Sequence, residues 1–444
     1  MNNSVDSTLA YIDQGAFLAL RALGRGPIIQ YFWVYERDID LDGLRRFQQN
    51  LQHTLISRLI ERSSLPFGRH RWIRYEVPTD LAVARHELSP DQVPDWLDER
   101  SFLPLDPQVG PPWHLGVQPL TGGGAVVSLV LSHVIADAGA GIQAIVDAVE
   151  GVGREFGFPR KDAGGRWHDL PRDVALTARS VRDIPAALAA AVYTAREQQE
   201  DLSRSASAAR QPRSGDRPVV VPRVYGSIDA AQWAQRATEL GATRNVLFAG
   251  FATRLGYRLG RLNADGRVLL SIPVSERTEG DIRANPLNGI TVCADPELVR
   301  TDLAALRGDM KKALVELSRT GARQLAPLAL VPYTPKLLVR RLENMVLKVG
   351  KPIGCTNVGD IPKQVNRPDG TDADFFGMRG GEAGLTAHTL ERLGGHLLVS
   401  AVSMCDRVWF SVASWESDRA NSRSALAEVV AAAAADLGLD VQLR

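Results

Sequence analysis

The chain has only three cysteines in 444 residues, which leaves little room for covalent bracing. Cys293, Cys355 and Cys405 are odd in number, far apart and free of any CxxC pair or metal-ligand spacing. This excludes a disulfide framework and a zinc ribbon, and it fits reduced thiols in a cytoplasmic protein. Long hydrophobic runs are missing too. No stretch approaches the roughly 18 consecutive apolar residues that a membrane-spanning helix needs. The opening residues, Met-Asn-Asn-Ser-Val-Asp-Ser, hold neither a basic region nor an apolar core, so no signal peptide is expected. Charge of one sign is also lacking: the net charge of +1 gives no reason to expect nucleic acid or a strongly acidic partner. There is no P-loop, no GxGxxG after a strand, and no repeat at a solenoid period. What remains is an ordinary globular composition, 45% hydrophobic and 23% charged, in a chain too long for one core. Two domains are expected.

Hydrophobic periodicity sketches the layout. Ile28 to Tyr35 reads as a strand, and Asp40 to Ile60 carries Leu44, Phe47, Leu51 and Leu55 at helical spacing. His70 to Val77 reads as another strand and 93–102 as a short helix. Two strands flank the Gly122-Gly-Gly turn. After Glu150 the texture changes: 153–172 is rich in Gly, Arg and Pro, 173–203 is an Ala-rich helical stretch, and 204–217 reads as an exposed linker. A strand near 219–229, a helix at 230–240, a long helix from about 243 to 262 and a strand at 268–274 open the second half.

One segment carries chemistry. Residues 125–131 (Ala-Val-Val-Ser-Leu-Val-Leu) have the signature of a buried strand, and they lead into Ser132-His133-Val-Ile-Ala-Asp137-Ala-Gly139. Beyond it, Ile142, Ile145, Val146 and Val149 suit a helix lying on that strand. An imidazole exposed at such a strand-to-helix loop can act as a general base, with Asp137 as its first supporting partner. An i,i+4 pair of polar residues on one helical face is the plainer reading.

The surroundings of this loop resemble the bacterial wax ester synthase/diacylglycerol acyltransferase family, which belongs with polyketide-associated acyltransferases and peptide-synthetase condensation domains. The resemblance rests on Pro104-Leu-Asp-Pro, on Gly110-Pro-Pro-Trp113-His-Leu and on the His-x-x-x-Asp loop. Three later segments agree in order: Gly241-Ala-Thr-Arg-Asn245-Val, Ile272-Pro-Val-Ser-Glu-Arg277 with Asn285 and Asn288, and Cys355-Thr-Asn357-Val-Gly-Asp360. It runs from about residue 5 to the C-terminus. Ser132 stands where the family usually has a first His, and His133 matches the second, usually catalytic one. Ala138 stands where Gly usually follows the Asp, and Gly359-Asp360 where Pro-Gly is usual.

The resemblance implies an α/β fold of two domains, each like chloramphenicol acetyltransferase, forming a pseudo-dimer with a tunnel between them. The expected division is 1–172, a helical crossover and linker at 173–217, and 218–444. The implied activity is transfer of an acyl group from a CoA or carrier-protein thioester to an alcohol or amine, with His133 as base. Acyl-CoA or acyl-phosphopantetheine is then a substrate, and no cofactor and no metal are expected. The alternatives are a condensation-type enzyme needing a carrier-bound substrate, and a catalytically silent binding protein.

Asp137, if buried behind the loop, needs a cation; the resemblance nominates Arg277, and the plainer reading of Arg277 is a surface cation at a strand end. Asn357 either turns an amide toward the oxyanion or simply makes a turn. Trp113 either lines the way to the loop or anchors the Pro-rich segment in the core. Ser132, Gly139 and Asn288 complete the expected substrate-binding set. His114 reads as structural, and His388, His396 and Glu391, in a hairpin-like region, match no metal motif. Residues 326–351 mix apolar side chains with Lys336, Arg340, Arg341, Lys348 and Lys351. They read either as a membrane-surface helix or as an amphipathic helix packed on its own domain.

Overall fold

Alternation and burial along the strands sort the chain into two sheets and two cores in the computed structural model, which describes residues 6–77, 81–160, 170–197, 218–335, 351–382 and 384–444. The first sheet has the order β11-β1-β6-β5-β4, built from β1 (Pro27–Tyr35), β4 (Ala82–Val83), β5 (Trp113–Pro119), β6 (Ala125–Ser132) and β11 (Phe375–Glu382). The second has the order β14-β7-β13-β12-β10-β8-β9. Its members are β7 (Arg223–Asp229), β8 (Val268–Ser275), β9 (Leu287–Ala294), β10 (Ile353–Asp360), β12 (His396–Met404), β13 (Arg407–Trp415) and β14 (Gln442–Leu443). A small hairpin, β2 (Arg58–Glu61) and β3 (Arg71–Arg74), stands apart.

Both faces of β6 are covered, so all its residues are buried and its sequence is a continuous apolar run rather than an alternation. Its one interior hydroxyl, Ser128, accepts from Gln30 Nε2 at 2.7 Å. The β5–β6 turn needs glycine. Gly122, Gly123 and Gly124 all have positive φ, and a Cβ on Gly124 would sit 2.1 Å from the Tyr35 carbonyl oxygen.

The two halves repeat one arrangement. In the first, β1 leads to helix α2 (Leu41–Leu51), and the β5–β6 hairpin leads through a loop to α4 (Ala138–Glu150), with β6 paired between β1 and β5. In the second, β7 leads to α7 (Ala230–Glu239), and the β12–β13 hairpin leads through a loop to α11 (Arg423–Ala435), with β13 between β7 and β12. This is the two-lobed α/β architecture that the sequence suggests.

The lobes exchange pieces. Strand β11, late in the chain, completes the first sheet against β1. It is pinned by buried Arg379, whose Nη1 reaches Asp98 at 2.5 Å and the Tyr225 hydroxyl at 2.7 Å. Asp98 lies on α3 (Val93–Ser101), so one guanidinium ties together elements of both halves.

Some expected boundaries move. The helix after Asp40 stops at Leu51, because the hydroxyls of Thr54 and Ser57 donate to the Leu51 carbonyl at 2.7 and 2.9 Å and take the acceptor a longer helix would use. The strand expected over 70–77 shortens to β3. The Ala-rich stretch divides into α5 (Leu170–Val181) and α6 (Ile184–Glu197) beside Pro185, which has no amide hydrogen to continue the ladder. The linker 204–217 lies outside the described residues. Residues 387–392 form a short helix, α10 (Ala387–Arg392), capped by the Thr386 hydroxyl, rather than a hairpin, and His396 opens β12.

Candidate active site

Strand β6 ends where the two lobes meet. The Ser132 amide donates to the Pro112 carbonyl at 3.1 Å and the His133 amide to that of Pro27 at 2.9 Å, so the backbone is held until it leaves the sheet. Four residues on, Asp137 caps α4 by accepting from the Ala140 amide at 2.8 Å. His133 is half-buried between these two fixed points.

The ring is gripped from the other lobe. His133 Nδ1 lies 2.8 Å from Asn285 Oδ1, on the segment between β8 and β9. The Asn285 amide nitrogen faces two acceptors, the His133 carbonyl at 3.0 Å and Asp13 Oδ1 at 3.5 Å. Those acceptors set which way the carboxamide points, so an oxygen faces the ring. An amide oxygen only accepts, so Nδ1 carries a proton, and in the neutral ring the lone pair then falls on Nε2. Asp13, fully buried on α1 (Tyr11–Leu23), also accepts from the Ala284 and Asn285 amides, each at 2.9 Å. Burial pushes the Asp13 carboxyl above its usual range, against the pull of these bonds and of Arg58.

Asp137 serves a different partner. Its Oδ1 lies 2.9 Å from Arg277 Nη2 and accepts from Arg277 Nε at 3.2 Å. The same guanidinium donates to the carbonyls of Asp281 at 3.0 Å, Arg283 at 3.2 Å and Ala284 at 3.0 Å. Arg277 thus clasps the start of α4 to the loop that presents Asn285. Gly139 lies against this pair, with an added Cβ only 3.7 Å from Arg277 Nε. Arg58 makes a second clasp. It is fully buried, stacks 3.9 Å over Trp72, donates from Nε to the Ile135 carbonyl at 3.1 Å, and reaches the Ile282 carbonyl through Nη1. Burial lowers its pKa to about 9, partly offset by Asp13.

Other expected residues stand elsewhere. Trp113 is fully buried in the first core and donates from Nε1 to the Ser57 hydroxyl at 3.0 Å, so it is a core anchor and not a lining residue. Ser132 is buried at the strand end, where its hydroxyl accepts from the Val134 amide at 3.4 Å. Asn288 donates to Glu276 at 3.3 Å; the asparagine at the ring is Asn285. Asn357 donates to Asn245 at 3.2 Å and accepts from the Gly359 amide at 3.0 Å, so its hydrogen bonds run within the second lobe. Half-buried His114 is held down at about 3 by desolvation and by Arg100, whose Nη2 lies 3.1 Å from Nδ1. Among the described residues, no group of three or more His, Cys, Asp or Glu could hold a metal ion, and no helix is long and apolar enough to cross a membrane.

Two pockets lie between the lobes, and His133 lines neither. Ile28, which pairs with Ser132, lines a crevice with Ser101, Phe102, Val220 and Arg223. That crevice shares Asp98, Phe102 and Val220 with a cavity of about 570 Å³ rimmed by Asp95, Glu99 and Arg423.

The chain matches no protein-family model and no curated protein sequence. Solved structures do match, over nearly the whole chain. The first condensation domain of the calcium-dependent antibiotic synthetase superposes with a TM-score of 0.56 at 15% identity, covering 97% of this chain and 95% of that one. Polyketide synthase associated protein 5 from Mycobacterium tuberculosis gives 0.53 at 14% identity, with 98% and 99% covered. The wax ester synthase/diacylglycerol acyltransferase from Marinobacter aquaeolei VT8 gives 0.52 at 15%, with 97% and 98% covered. The chain has a condensation-domain fold. The resemblance read from the sequence holds at the level of that fold.

On this condensation-type scaffold, three residues escaped sequence reasoning in their roles. Asn285 was one of two asparagines in a matching segment, and spacing alone did not tell them apart. Arg58, a lone cation in the apolar run Ile56-Ser-Arg-Leu-Ile60, carried a usable signal, because a charge there is buried and needs partners. Asp13 carried none, since its partners lie 271 and 272 residues away.

Proposed function

We propose that this protein transfers an acyl group from a thioester to an alcohol or amine, with His133 as general base. One observation carries the reading: the Asn285 contact at 2.8 Å holds the proton on Nδ1, so that the neutral ring has its lone pair on Nε2. As the acceptor's oxygen or nitrogen bonds to the thioester carbonyl carbon, its proton passes to Nε2. Collapse of the tetrahedral intermediate breaks the C–S bond, and the proton goes from the imidazolium to the departing thiolate. The products are an ester or amide and a free thiol.

Asp137 and Arg277 hold the loop, and Asp13 holds Asn285; none of them exchanges a proton in this scheme. The Asn357 side chain donates to Asn245, and this scheme assigns it no step. The donor is an acyl group on CoA or on the phosphopantetheine of a carrier protein, and both present the same thioester.

The test is thiol release from short- to long-chain acyl-CoAs and from acyl-carrier protein, each with mixed alcohol and amine acceptors. Wild type should show acceptor-dependent release, and His133→Ala should lose it by about 10²–10⁴-fold. Release from the carrier-bound donor alone selects the condensation-type version. No release from either donor would overturn transfer in favour of a binding protein.

A further inference from the structure

Helices α5 and α6 continue one another through a turn at Arg182 and Asp183, and their burial is inverted. The face toward the protein carries Asp173, Ser180, Ala187 and Ala190, all buried. The opposite face carries Val174, Val181, Leu188 and Val192, exposed by 49, 49, 51 and 51%. With Ala178 and Pro185 among them, these positions advance in steps of four and three, which is one stripe along α5 and another along α6. Aliphatic side chains ordinarily face the core and carboxylates the solvent.

The orientation is nevertheless specified. Asp173 accepts from the Ser63 hydroxyl at 2.8 Å and the Ser64 amide at 2.7 Å, and the Ser180 hydroxyl meets the Tyr333 hydroxyl at 2.9 Å. Rotating the helices to bury the valines would strand these groups. Residues Ala326–Tyr333, where a surface helix was one expectation, instead pack beneath α6, with Ala329 and Pro332 buried; residues 336–350 of that basic stretch lie outside the described residues.

Charge selects the occupant. Arg179 and Arg182 lie beside the stripe and are exposed, whereas Arg172 is on the far side of α5 and donates to the Ser7 hydroxyl at 3.3 Å, Asp173 is buried and Asp183 accepts from the Tyr11 hydroxyl at 2.7 Å. A layer of anionic headgroups would neutralise Arg179 and Arg182 while the aliphatic stripe enters the acyl boundary. We propose that the outer face of α5 and α6 docks on an anionic lipid surface. This goes beyond the acyl-transfer reading and does not depend on it.

The test is co-sedimentation of the full chain with phosphatidylcholine vesicles, with and without about a quarter phosphatidylglycerol. Binding should require the anionic lipid and weaken with salt. It should fall by about tenfold or more in Val181→Ser/Leu188→Ser and in Arg179→Gln/Arg182→Gln, at unchanged thermal midpoints. Equal binding of wild type and variants, or none to anionic vesicles, would overturn the proposal. So would a dimer by light scattering that Val181→Ser/Leu188→Ser splits, since a second copy then covers the stripe. A midpoint lowered by that variant would overturn it too, because the chain itself would then cover those side chains.

Discussion

The loops after β6 and β13 occupy equivalent places in the two lobes and hold opposite kinds of residue. After β6 comes His133, gripped by Asn285 of the other lobe. After β13 comes Glu416, paired at 2.5 Å with buried Arg261 of its own lobe. The second loop is closed on itself: Asn421 donates to the Glu416 carbonyl at 2.8 Å, and Ser422 caps α11 through the Ala425 amide at 3.2 Å. Both loops cap the next helix with a side-chain oxygen, so the local structural task is the same. They differ in who completes them. A base must offer an uncommitted lone pair, and partners from across the interface can orient His133 through one nitrogen while leaving the other. Glu416 is neutralised by its own cation and has no such vacancy. Repeating a fold does not repeat its chemistry.

Substitutions should separate the loops. His133→Ala is expected to lower turnover by about 10²–10⁴-fold with little change in thermal midpoint. Glu416→Gln is expected to do the reverse, costing about 3–5 kcal/mol by leaving Arg261 buried and unpaired while per-molecule turnover of the folded fraction stays within a fewfold. If Glu416→Gln abolished turnover in protein that remains folded, the contrast would collapse.

The clasp comes next. Arg277→Ala strands the buried Asp137 carboxylate and should cost about 3–5 kcal/mol in denaturant melts, whereas the double variant with Asp137→Asn should recover part of it. Equal stability of the single variant and wild type would show that the clasp holds nothing. A smaller effect is expected at Asn285. Its change to Ala should cut kcat by about 10–100-fold through loss of the fixed tautomer, and Asn285→Asp, which keeps an acceptor at Nδ1, should retain more activity than Ala. Rate measurements on folded protein decide it, and a wild-type kcat in Asn285→Ala would remove the basis for assigning Nε2 as the base.

The smallest effect concerns pH and the first lobe alone. Burial, then Arg62 and Arg69, hold His70 down at about 4 from 6.5. A depressed imidazole contributes stability that is present above about 6.5 and is lost as pH falls toward 4, since the unfolded chain takes up the proton first. Between pH 7 and 5 this amounts to at most roughly 2 kcal/mol, and the stability difference between wild type and His70→Gln should shrink by that much. A difference independent of pH would mean that His70 is protonated alike in both states.

Much of the scaffold was legible because it is local. The all-apolar run of β6, the glycines of the β5–β6 turn and Asp137 at the head of α4 each answer to neighbours a few residues away. The same reading overran α2, because Thr54 and Ser57 competing for the Leu51 carbonyl leave no mark on hydrophobic periodicity. At the site, the residues His133, Asp137 and Arg277 could be named from the sequence, but the partner of the ring could not.

The sequence by itself determined that a strand would deliver an imidazole to a loop before a helix, since apolar pattern acts over one or two turns. The tertiary structure decided that Asn285 rather than Asn288 meets the His133 ring, and that Asp13 and Arg58 stand behind that contact. Those contacts span 77 to 272 residues. Their existence depends on two cores docking with a shared strand, a relation between distant segments that neither residue type nor spacing encodes.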